Sequence, residues 1–139
     1  MKNGLKRSAA RLAAAGVMGA AVIAAAATPA LAKGAAELSA PSRVSVGQAI
    51  HIKGRATDDG ATDARLCVQE RSGKSGAWRT VKCGPMTVLP LHDATVDVKI
   101  KARHRATIQL RGVLYGYDGA KGGHPFVDRT TDVKVVHVR

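Results

Sequence analysis

The mature part of this 139-residue chain predicts an all-β fold: a two-sheet antiparallel sandwich of about seven strands, preceded by a helical signal peptide. Three observations carry that expectation. Apolar residues recur with period two, as they do in strands that bury one face. Turn-forming Gly, Asp and Ser clusters separate the apolar runs about every 8–15 residues, the spacing of a sandwich. Beyond the leader, no stretch sustains the three-to-four spacing of an amphipathic helix.

The first 32 residues stand apart. They hold 13 of the 25 alanines, four basic residues and no acid. Lys2, Lys6, Arg7 and Arg11 form a positive head, Leu12 to Ala27 an uncharged apolar run, and Thr28-Pro29 ends it. Ala30-Leu31-Ala32 is a small-x-small cleavage site, so residues 1–32 read as a secretory signal peptide cut before Lys33. The run falls short of the roughly 20 apolar residues of a spanning helix. No Cys follows it to take a lipid, and no Arg-Arg pair marks the twin-arginine route. The expected location is therefore secreted or extracellular, with wall association left open. Residues 33–139 form one sandwich domain of net charge +8 with 13 valines and four aromatics. That composition excludes a multidomain enzyme, a polytopic membrane protein and a low-complexity disordered chain.

Strands are expected near 37–46, 49–56, 64–71, 77–83, 86–90, 94–101, 106–115 and 126–138. Ile50-His51-Ile52-Lys53 and Val96-Asp97-Val98-Lys99-Ile100-Lys101 alternate apolar and charged residues, and Ile108-Gln109-Leu110-Arg111 repeats the pattern. Leu66 and Val68 point one way, Arg65, Cys67 and Gln69 the other. A phase slip among Val133, Val135 and Val136 suggests a bulge. The expected core is Val44, Val46, Ile50, Ile52, Leu66, Val68, Val96, Val98, Ile100, Ile108, Leu110, Val133 and Val135. The two cysteines, Cys67 and Cys83, read as one disulfide in an exported small domain. A hairpin centred on Ser75 pairs them directly. That register sets Lys82 opposite Val68 on the inward face, a conflict that a bulge near Val81 would relieve.

With the strands laid out, the mature chain resembles the bacterial immunoglobulin-like domains of exported actinobacterial proteins. The residues that carry the resemblance are Ala40-Pro41-Ser42-Arg43-Val44-Ser45-Val46-Gly47-Gln48, Ile50 to Arg55, Leu66-Cys67-Val68-Gln69-Glu70-Arg71 and Ala77-Trp78-Arg79-Thr80-Val81. The resemblance spans about 38–138 and implies an immunoglobulin-like sandwich. Its motifs mark a fold, and none is catalytic. His104-Arg105-Ala106 departs from the Tyr-Arg often found there, so the corner hydrogen bond of a tyrosine is not expected.

The sequence lacks the GxSxG, HExxH, phosphate-loop and dinucleotide-turn motifs of common enzymes, and its five histidines are scattered. No catalytic residue, cofactor or metal site is assigned. Asp58, Asp59, Asp63 and Asp118 offer oxygens for Ca²⁺, but no loop motif fixes the geometry. Two binding features stand out. His51, Lys53, Arg55, Lys99, Lys101 and Arg103 all oppose the apolar set of their strands. They form a candidate polyanion patch if strands 49–56 and 94–101 are neighbours, with Asp97 alone offsetting them. At one end of the sandwich, Tyr115, Tyr117, Asp118, Lys121 and His124 form a candidate recognition loop. Trp78 is expected to pack beneath the 64–83 hairpin.

The resulting expectation is a secreted, non-enzymatic immunoglobulin-like binding or structural module. Its partner would be an anionic cell-wall polymer or another extracellular protein. Nucleic acid is a poor match, because no aromatic residues interleave the basic ones as stacking platforms. The alternatives are an inhibitor of an exported hydrolase, presenting the disulfide-bracketed 72–76 or the 116–125 loop, and a small-ligand carrier.

Overall fold

A computed structural model of the chain describes residues 34–60, 63–118 and 123–139. The expected leader, with the expected cleavage residues Ala30, Ala32 and Lys33, lies outside the described residues, as does Lys121. Among the described residues there are strands and no helix. They are β1 (Ala35–Ser39), β2 (Arg43–Val44), β3 (Ala49–Thr57), β4 (Asp63–Ser72), β5 (Arg79–Cys83), β6 (Thr87–Val88), β7 (Ala94–Lys101), β8 (Ala106–Tyr117), β9 (Pro125–Thr130) and β10 (Lys134–Val138). A three-stranded sheet runs β1-β3-β7. A seven-stranded sheet runs β2-β10-β8-β4-β5, with β6 also on β4 and β9 also on β8. The two sheets enclose one apolar core, as the sandwich expectation requires.

Period two writes the smaller sheet. In β3 buried and exposed residues alternate over nearly the whole strand, with Ile50, Ile52 and Ala56 inward and His51, Lys53 and Arg55 outward. In β7 Ala94, Val96 and Val98 are buried while Thr95, Asp97 and Lys99 face out. Gly54 leaves room for its neighbours in the core: a Cβ there would lie 2.8 Å from Leu66 of the facing sheet and 2.9 Å from Val96 of its own. In the larger sheet, Leu66 and Val68 of β4 meet Leu110 and Leu114 of β8, all fully buried.

Two expected strands divide. The strand expected over 37–46 pairs first with β3, through β1, and then leaves that sheet to run parallel to β10 as β2. Pro41 lies in the crossing, where its missing N–H would break a ladder. Val46 passes into a turn and is 44% exposed, so it does not join the core. The strand expected over 126–138 breaks at 131–133. There the Thr131 amide donates to the Gly112 carbonyl at 2.9 Å, and its hydroxyl accepts from the Gly112 amide at 2.8 Å. Beyond this clamp the phase is set by Val136 and Val138, both buried, so Val133 and Val135 point outward. The remaining expected core residues hold, with Val44, Ile100 and Ile108 partly buried against it.

Cys67 and Cys83 are disulfide-bonded, directly opposite each other across β4 and β5. The register shifts between Val68 and Gln69, leaving Val81 as the extra residue. The bulge therefore lies where expected, yet it shifts Thr80 and Arg79 rather than Lys82, which stays opposite Val68. Lys82 avoids the core because β5 is an edge strand. Its Nζ reaches across the open side of the sandwich and donates to the Asp97 carbonyl of β7 at 3.0 Å.

Candidate functional site

The basic residues come together on one face of the smaller sheet. β3 and β7 are antiparallel neighbours, with His51 opposite Lys99, Lys53 opposite Asp97 and Ala49 opposite Lys101. His51, Lys53, Arg55, Lys99 and Lys101 are exposed, and Arg103 is exposed just past the end of β7. The counter-charge is larger than the sequence suggested. His51 Nε2 and Asp97 Oδ1 are 2.7 Å apart, and this bond, aided by the nearby positive charges of Lys53 and Lys99, holds the Asp97 carboxyl below its ordinary range. Arg55 donates to Asp93, and Glu37 of β1 stands directly opposite Arg55. Asp97 is thus not the lone offset: long-range pairing brings in Asp93 and Glu37, which local alternation cannot reveal. Among the described residues, Lys53, Lys99, Lys101 and Arg103 form no ion pair. The uncompensated charge therefore concentrates toward the C-terminal end of β7.

The outward face of the larger sheet carries a second constellation, absent from the sequence reading. Arg71 Nε donates to Gln109 Oε1 at 2.7 Å, Arg111 Nε to Gln69 Oε1 at 2.9 Å, and Gln69 Nε2 to the Tyr115 hydroxyl at 3.2 Å. These residues alternate along β4 and β8, and the register sets Gln69 opposite Arg111 and Arg71 opposite Gln109. Trp78 covers them, with the Arg71 and Arg111 guanidinium carbons 4.5 and 4.2 Å from the indole centroid. It therefore packs on the outer face that β4 and β8 present, against Arg71 of the hairpin and Arg111 beside it. Cation–π attraction favours this arrangement, since the indole face is the most electron-rich of the aromatic side chains. Farther along, Arg65 lies 5.6 Å from the Tyr117 ring centroid.

The candidate recognition loop is placed in part. Tyr115 and Tyr117 belong to β8, where they support the sheet's outer face, and Tyr117 is 9% exposed. Asp118 and His124 are exposed beside the undescribed stretch 119–122. Of the aspartates weighed for Ca²⁺, Asp58 is committed elsewhere. Its carboxyl is hydrogen-bonded to that of Asp128 on β9 and lies 3.6 Å from Arg129 Nε. Burial, and then the neighbouring Asp58, push the Asp128 carboxyl up to about 6, while the Asp128 bond holds Asp58 below its ordinary value. Among the described residues, no three His, Cys, Asp or Glu side chains gather as a metal-binding group.

No protein-family model matches the chain, and no curated protein matches it. Solved structures do. A superoxide reductase (neelaredoxin) from Ignicoccus hospitalis aligns with TM-score 0.50 and 10% identity over 79% of this chain and 86% of that one. A β-glucosidase from Listeria innocua aligns with TM-score 0.48 and 12% identity over 76% of this chain. The chain spans only 16% of the length of that glucosidase. At 10% identity the superoxide reductase is similar to this chain in fold alone.

Proposed function

We propose that the protein is an exported, non-enzymatic immunoglobulin-like module that binds an anionic polymer of the cell surface through its smaller sheet. One observation carries the reading: β3 and β7 are hydrogen-bonded neighbours, so Lys53, Lys99 and Lys101 share one exposed face with Arg103 at its rim. Charges gathered on a face attract a polyanion more strongly than the same charges dispersed, since the field decays within about 8 Å at physiological salt. The leader supports export, and an intramolecular disulfide suits an oxidising compartment. The strand that leaves one sheet for the other, and the hairpin joined across β4 and β5, support the immunoglobulin-like assignment.

The test is co-sedimentation of the mature protein with purified anionic wall polymer across a salt series. Binding at low salt that declines steeply toward 0.5 M NaCl (roughly 4 Å screening length by the square-root law) is expected. Absence of binding at low salt, or binding indifferent to salt, overturns the reading.

A further inference from the structure

Beyond the flat basic face lies a concave site. The sheets part at the end of the molecule that carries the β4–β5 hairpin and the turn after β7, leaving a cleft of about 670 Å³. That volume lies within the usual range for small-molecule sites, roughly 300–1,000 Å³. Arg71, Lys101, Arg103 and His104 line it, and Ile100 and Ile108 supply an apolar floor. Among the lining residues Glu70 is the one acid, and it is bound at 2.9 Å by Arg79, itself on the wall. With His104 neutral, the lining carries net +3. Neither Lys101 nor Arg103 has an ion-pair partner among the described residues.

We infer that this cleft binds a small amphiphilic anion, a phosphate or carboxylate head on a short apolar stem. Both parts follow from the lining. Charges of one sign around a concave, low-dielectric wall focus the field and raise the local concentration of counter-ions. A guanidinium fork presents paired donors that match the oxygens of phosphate or carboxylate. The Arg103 fork and the Lys101 ammonium are therefore the head-group ligands. Ile100 and Ile108 are only partly buried by the protein itself. A stem laid over them would remove their exposed area from water, at about 0.8 kcal/mol for each methylene buried. A purely ionic ligand would leave that floor wet, and a neutral one would leave the cations unused.

The fold supplies a reporter. Trp78 is the sole tryptophan, and it stacks on Arg71, which also lines the cleft. Octyl phosphate, inorganic phosphate and octanol are the probes, titrated against the mature protein by calorimetry and Trp78 fluorescence. Octyl phosphate should bind about tenfold or more tighter than either part alone, and shift the Trp78 emission. Arg103→Gln, at an exposed residue, should weaken it about tenfold. Ala106→Phe fills the cleft without changing charge and should abolish binding. The double variant Lys53→Ser, Lys99→Ser removes charge from the flat face only and should leave octyl phosphate binding intact. The last variant separates this site from the polymer-binding reading, so either can fail alone. Octyl phosphate binding no tighter than inorganic phosphate, or unchanged in both Arg103→Gln and Ala106→Phe, overturns the inference.

Discussion

At the scale of single residues, Asp128 is the position where charge and burial conflict most. Its Oδ2 is buried without a hydrogen-bond partner, and burial, with the neighbouring Asp58 carboxyl, holds its proton up to about pH 6. The folded chain thus keeps a proton that an unfolded aspartate, near 3.8, has already lost. Wherever the native state binds more protons than the unfolded one, stability falls as pH rises. The contribution of Asp128 is therefore fullest below about pH 4 and is lost as pH climbs through about 6. Asp58, held below its ordinary value, runs oppositely, and its contribution is lost only in stronger acid. Asp128→Asn keeps a donor for Asp58 and removes the second negative charge. Urea midpoints should show the variant more stable than the parent at pH 7 by about 1 kcal/mol, allowing for solvent screening. The advantage should vanish near pH 3.5, below the unfolded value. An equal difference at both pH values would place the effect in packing instead of titration.

Trp78 poses a different residue-scale question, because its partners are cations, not core. Trp78→Leu keeps apolar cover but removes the ring that Arg71 and Arg111 stack on. Such contacts are worth about 0.5–2 kcal/mol, and both guanidinium groups are shared with Gln69 and Gln109. A loss of about 1–2 kcal/mol in thermal or urea unfolding is expected. Trp78→Phe, which keeps a π face, should lose less. Equal losses for the two variants would deny the cation–π contribution.

At the scale of elements, the β4–β5 hairpin joins two sources of order. Its disulfide closes a separation of 16 residues, and chain-entropy reasoning assigns such a loop roughly 3 kcal/mol. Cys83→Ala should therefore lower the unfolding free energy by about 2–4 kcal/mol, read from denaturant titration against the oxidised parent. A loss below about 0.5 kcal/mol would show that the ladder and the Lys82 bond across the sheets hold the hairpin unaided. The hairpin was legible in sequence because cysteine parity and a glycine-rich turn fix one register. Strands β3 and β7 were legible because strict alternation admits a single inward face. The last strand was not: Val133, Val135, Val136 and Val138 permit two phases, and the choice is made by Thr131 docking on Gly112, a contact far apart in sequence. The Arg–Gln–Trp layer was illegible for the same reason, since cross-strand register decides which glutamine meets which arginine. The cleft was less legible still: Lys101 and Arg103 were recognised as basic, but the gap between the sheets that gives them a wall exists only in three dimensions.

For the whole molecule, the question is whether net charge or its placement would govern the proposed polyanion binding. Residues 33–139 carry a net charge of +8 and will attract any polyanion at low salt, so attraction alone identifies no site. The geometry allows the two causes to be separated. Lys53, Lys99 and Lys101 lie on one face of the smaller sheet. Arg43, Lys74 and Arg139 are also exposed but sit on β2, the hairpin turn and the C-terminus. Changing either trio to Ser removes the same net charge. If placement governs, the first trio should weaken binding to purified anionic wall polymer by roughly tenfold or more at 0.15 M salt, where contributions beyond about 8 Å are screened. The second should weaken it by about twofold or less. Neither should unfold the domain, because all six side chains are exposed and form no ion pair among the described residues. Matching losses in the two variants would mean that the polymer responds to total charge, and the smaller sheet would then have no claim as a recognition face. A salt series separates the cases again: a localised patch should give the first trio a shallower dependence of log affinity on log salt than the parent, because fewer counter-ions are released from the bound polymer.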